Sequence, residues 1–122
     1  MTVFVDAESL CVLLEREHPQ HHLVASLWRL EIEARSPLAT SNYAVLKACG
    51  AIHARHGIAG VRILVEELVP LLHVEWVRPD DHLLGLAVFL ATPAPSDKLV
   101  DLTEHIDEVV ISRLTNGERL SL

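Results

Sequence analysis

An α/β domain, with a short parallel sheet sandwiched between layers of helices, is the fold class this sequence predicts. Three observations carry the prediction. Val3, Phe4 and Val5 form a short unbroken apolar run, the pattern of a strand buried on both faces. Helix-length segments alternate with further short apolar runs, as βα units require. The chain has 122 residues, enough for one compact domain and too few for two.

Each element follows from local chemistry. After the first strand, Asp6 introduces a helix over Ala7 to Leu14, and Glu-Arg-Glu-His-Pro at 15–19 breaks it. A second helix runs from Gln20 to about Ala34, with Leu23, Leu27, Leu30 and Trp28 at helical spacing, and Ser36-Pro37 stops it. Leu38 to Thr40 is a short strand, with Ser41 or Asn42 capping a third helix from Tyr43 to His56. Gly57 takes the helix-stop position. Ile58 to Val69 reads as a fourth helix ended by Pro70. His73 to Val77 reads as a strand whose apolar content is Val74, Trp76 and Val77. Asp80 or Asp81 caps a fifth helix through Ala91, and 92–97, with two prolines, is a loop. Val100 to Leu114 is a sixth helix, 115–117 a turn, and 119–122 a last short strand.

Composition narrows the function classes. Half the residues are apolar but only 4% are aromatic, so Leu, Val, Ile and Ala must build the core. The aliphatic surplus predicts a homodimer, with Leu23, Leu27 and Trp28, or Leu64, Leu68 and Leu72, as candidate subunit contacts. A net charge of −7 argues against tight non-specific nucleic-acid binding, and DNA is not an expected partner. Arg55 and Arg62 are the candidates for touching RNA phosphates, within a sparse basic footprint. Cys11 and Cys49 have no neighbouring cysteine and read as small buried hydrophobes of a reducing cytosol. No signal peptide and no apolar run of membrane-spanning length is evident, so a cytoplasmic location away from membranes is expected.

Few residues suggest chemistry. Asp6 ends the first strand, where open α/β sheets bind ligands, although a helix N-cap accounts for it equally well. Asp101, Glu104 and His105 share one face of the last helix, and an acidic first turn favoured by the helix dipole is the plainer explanation. Lys47 is the only charged residue between Tyr43 and Ile52. Its ammonium either reaches out to water or meets a carboxylate. The eight histidines lack zinc-site spacing, and no phosphate loop, Gly-x-Ser-x-Gly elbow or Cys/His nucleophile pair is present.

Taken together, four segments resemble PIN domains, the fold of VapC-type toxin ribonucleases. They are Val-Phe-Val-Asp-Ala-Glu-Ser-Leu at the start, His-Pro-Gln-His-His-Leu-Val-Ala at 18–25, Thr-Ser-Asn-Tyr-Ala-Val-Leu at 40–46 and Leu-Val-Asp at 99–101. The resemblance spans nearly the whole chain in the expected order. It implies a three-layer α/β/α sandwich and an acidic cluster holding Mg²⁺ or Mn²⁺, hard cations that want oxygen ligands and activate water for RNA cleavage. It places the first family acid at Asp6 and the third at Asp101. The second falls on Lys47, a reversal of charge. The fourth, just past the final strand, is expected to be missing, because the sequence ends at Leu122.

A fixed ammonium at Lys47 attracts Asp6 and Asp101 and repels a divalent cation. At ~4 Å and an effective dielectric of about 20 each such interaction is worth roughly 4 kcal/mol. The expectation is therefore a PIN-like domain with lost or strongly impaired nuclease activity, needing no cofactor and acting by binding RNA or an antitoxin-like protein. Two alternatives stand beside it. One is an active Mg- or Mn-dependent ribonuclease with a rearranged site, its metal held by Asp6, Asp101 and Glu104; the other is a dimerisation or scaffold module.

Overall fold

The structure, a computed structural model, describes residues 2–91, 102–114 and 118–120, with Glu104 and 118–120 described by their backbone only. Four parallel strands form the sheet. They are β1 (Val3–Val5), β2 (Leu38–Ser41), β3 (His73–Glu75) and β4 (Glu118–Leu120), in the spatial order β3-β2-β1-β4. Phe4 pairs with Ala39 of β2 and with Arg119 of β4, so the first strand lies in the interior of the sheet. The apolar run at 3–5 is buried throughout, as its pattern requires.

The helices are α1 (Ala7–Leu14), α2 (His21–Glu33), α3 (Asn42–Ile63), α4 (Pro79–Ala91) and α5 (Leu102–Arg113). Alternation along β1 divides the core. Val3 and Val5 join Leu38, Ala7 and Leu10 of α1, and Ala44, Ala48 and Ile52 of α3 in one cluster, with Leu27 and Trp28 of α2 packed against it. Phe4 is buried outside that cluster, as are Ile106 and Val110 of α5. α4 and α5 approach closely at Gly85, where a Cβ would lie 2.5 Å from Ile106 Cγ1 and 3.1 Å from Ile106 Cα.

Several boundaries differ from expectation. The helix break expected at Gly57 is present, with a φ of 66° and ψ of −163° that only glycine adopts readily, but it is a kink within α3 and the next helix follows with no loop between. Beyond Ile63 the chain widens into a π turn (Leu64–Leu68) and then tightens into a 3₁₀ turn (Val69–Leu71). Pro70 lies inside that last turn rather than after it, at a position that needs no N–H. Neither Asp80 nor Asp81 caps α4. Pro79 opens it, and Asp81 reaches back to accept from the Arg78 N–H at 2.9 Å, as the third residue of a capping box does. Ser41, not Asn42, caps α3, accepting from the Ala44 N–H at 2.9 Å.

Two burial expectations are overturned. Leu64 and Leu72 are core residues and Leu68 packs against them, so this trio is not a subunit contact. Trp76 lies beyond the end of β3 and is exposed, because the strand stops at Glu75. The expected loop at 92–97, the turn at 115–117 and the residues past Leu120 lie outside the described residues.

Candidate functional site

β1 and β2 end side by side. Val3 lies opposite Leu38 and Phe4 opposite Ala39; Asp6 follows the last residue of β1, and Ser41 is the last residue of β2. The Thr40 hydroxyl donates to the Val5 carbonyl at 2.7 Å and locks the two strand ends together. Asp6 is 6% exposed and caps α1, accepting from the Ser9 N–H at 2.8 Å. Asp6 is thus a helix cap, placed just past the carboxyl end of β1.

A second buried carboxylate, held at the end of β2, was not singled out by the sequence reading. Asp107, on α5, is 1% exposed, and the Ser41 hydroxyl donates to its Oδ1 at 2.6 Å. Ser41 thus has two tasks, capping α3 and holding Asp107 to the end of β2. A short, charge-assisted bond of this kind fixes the carboxylate in place. The signal was present in the sequence: Asp107 interrupts the apolar stripe of α5 between Ile106 and Val110, and a carboxylate on a buried stripe needs a partner.

The other expected site residues are distributed differently. Asp101 and the side chain of Glu104 lie outside the described residues. His105, on the same helix, is half-buried, with its ring edge-on to Phe89 at 5.5 Å. Lys47 is on the exposed side of α3, in a groove of about 390 Å³ lined by Ala7, Glu8, Cys11 and Glu15 of the α1 segment and by Arg55. Lys47 therefore faces the helix that Asp6 caps. Burial pushes the Cys11 thiol up, Glu15 adds to the rise, and the cations of Arg55 and Lys47 oppose it. Cys11 and Cys49 are both free thiols, half-buried against the core.

Neither arginine proposed for phosphate contact is uncommitted. Arg55 binds both oxygens of Glu15 at 2.7 and 2.9 Å, a hydrogen bond that holds the Glu15 carboxyl below its usual range. Arg62 meets Glu66 at 3.4 Å. Among the described residues no three His, Cys, Asp or Glu side chains converge to hold a metal ion. Asp6 and Asp107 are the right kind of donor for Mg²⁺ or Mn²⁺, but two carboxylates alone do not make a cage.

A charged cluster lies beside β3. Arg113, near the end of α5, binds Glu75 of β3 and Asp81 of α4, the latter at 2.8 Å, and reaches the Trp76 carbonyl at 3.4 Å. The Arg113 hydrogen bond holds Glu75 below the usual carboxylate range. Burial pushes Asp81 up, but Arg113 and the Arg78 N–H outweigh it, and the net direction is down. Asn42 accepts from the Val77 N–H at 2.8 Å, and Tyr43 is hydrogen-bonded to His82 at 2.9 Å. The exit of β3 is thereby pinned to the start of α3.

No protein-family model matches the sequence, and no curated protein matches it. The fold does match a solved structure. The VapC20 toxin of Mycobacterium tuberculosis, a protein that cleaves the sarcin–ricin loop, superposes with a TM-score of 0.75 at 17% identity, covering 91% of this chain and 82% of that one. The chain accordingly has the PIN-type, VapC-like α/β/α fold. No helix among the described residues is long and apolar enough to cross a membrane.

Proposed function

We propose that this chain is a PIN-type domain that binds RNA at the carboxyl edge of its sheet and has lost or nearly lost the ability to cleave it. The observation that carries the reading is the reversed charge at position 47. A ribonuclease of this fold needs anionic donors around a divalent cation. This chain instead carries an ammonium on α3, facing the first turns of the helix that Asp6 caps. The anionic pair left at the edge is Asp6 and Asp107, and any contribution of Asp101 or Glu104 adds to that pair. The RNA class comes from the likeness to VapC20 and its sarcin–ricin-loop cleavage.

Two measurements test the reading together. Calorimetric titration with Mn²⁺ is expected to show weak binding by the native chain and tighter binding by Lys47→Glu. Incubation with a sarcin–ricin-loop hairpin and with unstructured RNA is expected to show binding without Mn²⁺-dependent cleavage. Cleavage that disappears in Asp6→Asn would establish the active-ribonuclease alternative instead, and a native chain that binds neither RNA would end the RNA reading.

A specific observation also favours self-association. From Leu83 to Ala91 α4 carries no charge, and Leu83, Leu84, Val88 and Leu90 are all exposed. Light scattering tests this, since a strict monomer at high concentration would exclude it.

A further inference from the structure

We infer that Trp76 is a stacking platform for an unpaired RNA base at the carboxyl edge of the sheet, where Asp6 and Ser41-bound Asp107 also stand; this rests on the RNA-binding reading above. Trp76 is 70% exposed, an unusual position for the largest apolar side chain. Its backbone is nevertheless fixed on both sides. Glu75, one residue before, pairs with Ser41 of β2 and is bound by Arg113. Val77, one residue after, donates to Asn42, and the Trp76 carbonyl itself accepts from Arg113. An aromatic ring on a pinned segment loses little backbone freedom when a ligand settles on it.

Its place in the sheet suits the occupant. Ser41, the strand partner of Glu75, is the residue that holds Asp107. The indole-bearing residue is thus one interstrand spacing from the end of β2 and two, about 10 Å, from that of β1, which Asp6 follows. Charge argues for stacking as the main source of affinity. The chain carries −7, and three of its ten basic residues, Arg55, Arg62 and Arg113, are committed to carboxylates, which weakens phosphate neutralisation as the source of affinity. A base offers a π face whatever its identity, and an indole is the strongest aromatic partner available. Arg78, exposed two residues further on, is placed to meet one neighbouring phosphate.

The test is anisotropy of a labelled, unstructured RNA of about ten nucleotides, read with a Trp28→Phe parent, in which position 76 is the single indole reporter, and with Trp76→Phe and Trp76→Leu made in that parent. Stacking predicts quenching of Trp76 emission, near-native affinity for Trp76→Phe, and a loss of roughly 5- to 150-fold for Trp76→Leu, which keeps the apolar surface and removes the π system. It also predicts a shallow salt dependence, with a log–log slope no steeper than about −1.5, equivalent to one or two phosphates. If Trp76→Leu binds as tightly as the parent, or RNA leaves the indole emission unchanged, the stacking inference is wrong while the RNA-binding reading stands. A parent that binds no RNA overturns both.

Discussion

Replacing Arg113 by Met removes one guanidinium and strands two carboxylates. The three side chains are 22% exposed for Arg113, 17% for Glu75 and 8% for Asp81, so solvent screens them only partly. Breaking a buried pair by deleting one partner costs about 3–5 kcal/mol. Here the lower end applies, because each carboxylate keeps a second donor: Glu75 keeps His73 at 3.0 Å and Asp81 keeps the Arg78 N–H at 2.9 Å. The expected loss is therefore about 3 kcal/mol at pH 7, read by urea denaturation monitored by circular dichroism. The pH dependence supplies a stricter check. Both carboxylates titrate lower in the folded chain than in the unfolded one. Their contribution is thus present above the unfolded values near pH 4 and is lost as the pH falls through the depressed folded values. On acidification the native chain should lose stability faster than Arg113→Met, and the gap between them should shrink. A loss below about 1 kcal/mol at pH 7, or a gap that does not change with pH, would refute the reasoning that this arginine offsets the two carboxylates.

Substitutions at three further positions probe the fold around the site. Ser41→Ala removes the cap of α3 and the hydroxyl donor of Asp107, and about 2–3 kcal/mol of stability should go with them in the same denaturation assay. Asp6→Asn should leave stability nearly unchanged, because Asn caps as well as Asp, whereas Asp6→Ala should cost about 1 kcal/mol; comparing their melting curves separates the cap from any role of the charge. Gly85→Ala should cost about 1–3 kcal/mol in the same denaturation assay, since its Cβ would press on Ile106, backbone included, and α4 and α5 would have to part.

Local chemistry alone settled a good deal of this molecule. The apolar run at 3–5, the stop at Ser36-Pro37, the glycine at 57 and the spacing of the helices suffice for a parallel α/β domain, because strand burial and helix punctuation are written within a few neighbouring residues. Asp6 was legible for the same reason: a carboxylate at a strand–helix junction is a local pattern. What stayed hidden was every feature created by contacts distant along the chain. Asp107 owes its place to Ser41, 66 residues away, and Arg113 binds acids 38 and 32 residues before it. The fate of Leu64 and Leu72, drawn into the core, and of Trp76, left outside it, depended on where β3 stops and what packs against it. Sequence periodicity states which residues can be buried. Only the closed fold decides which of them are, since burial belongs to the pair of surfaces and not to either one.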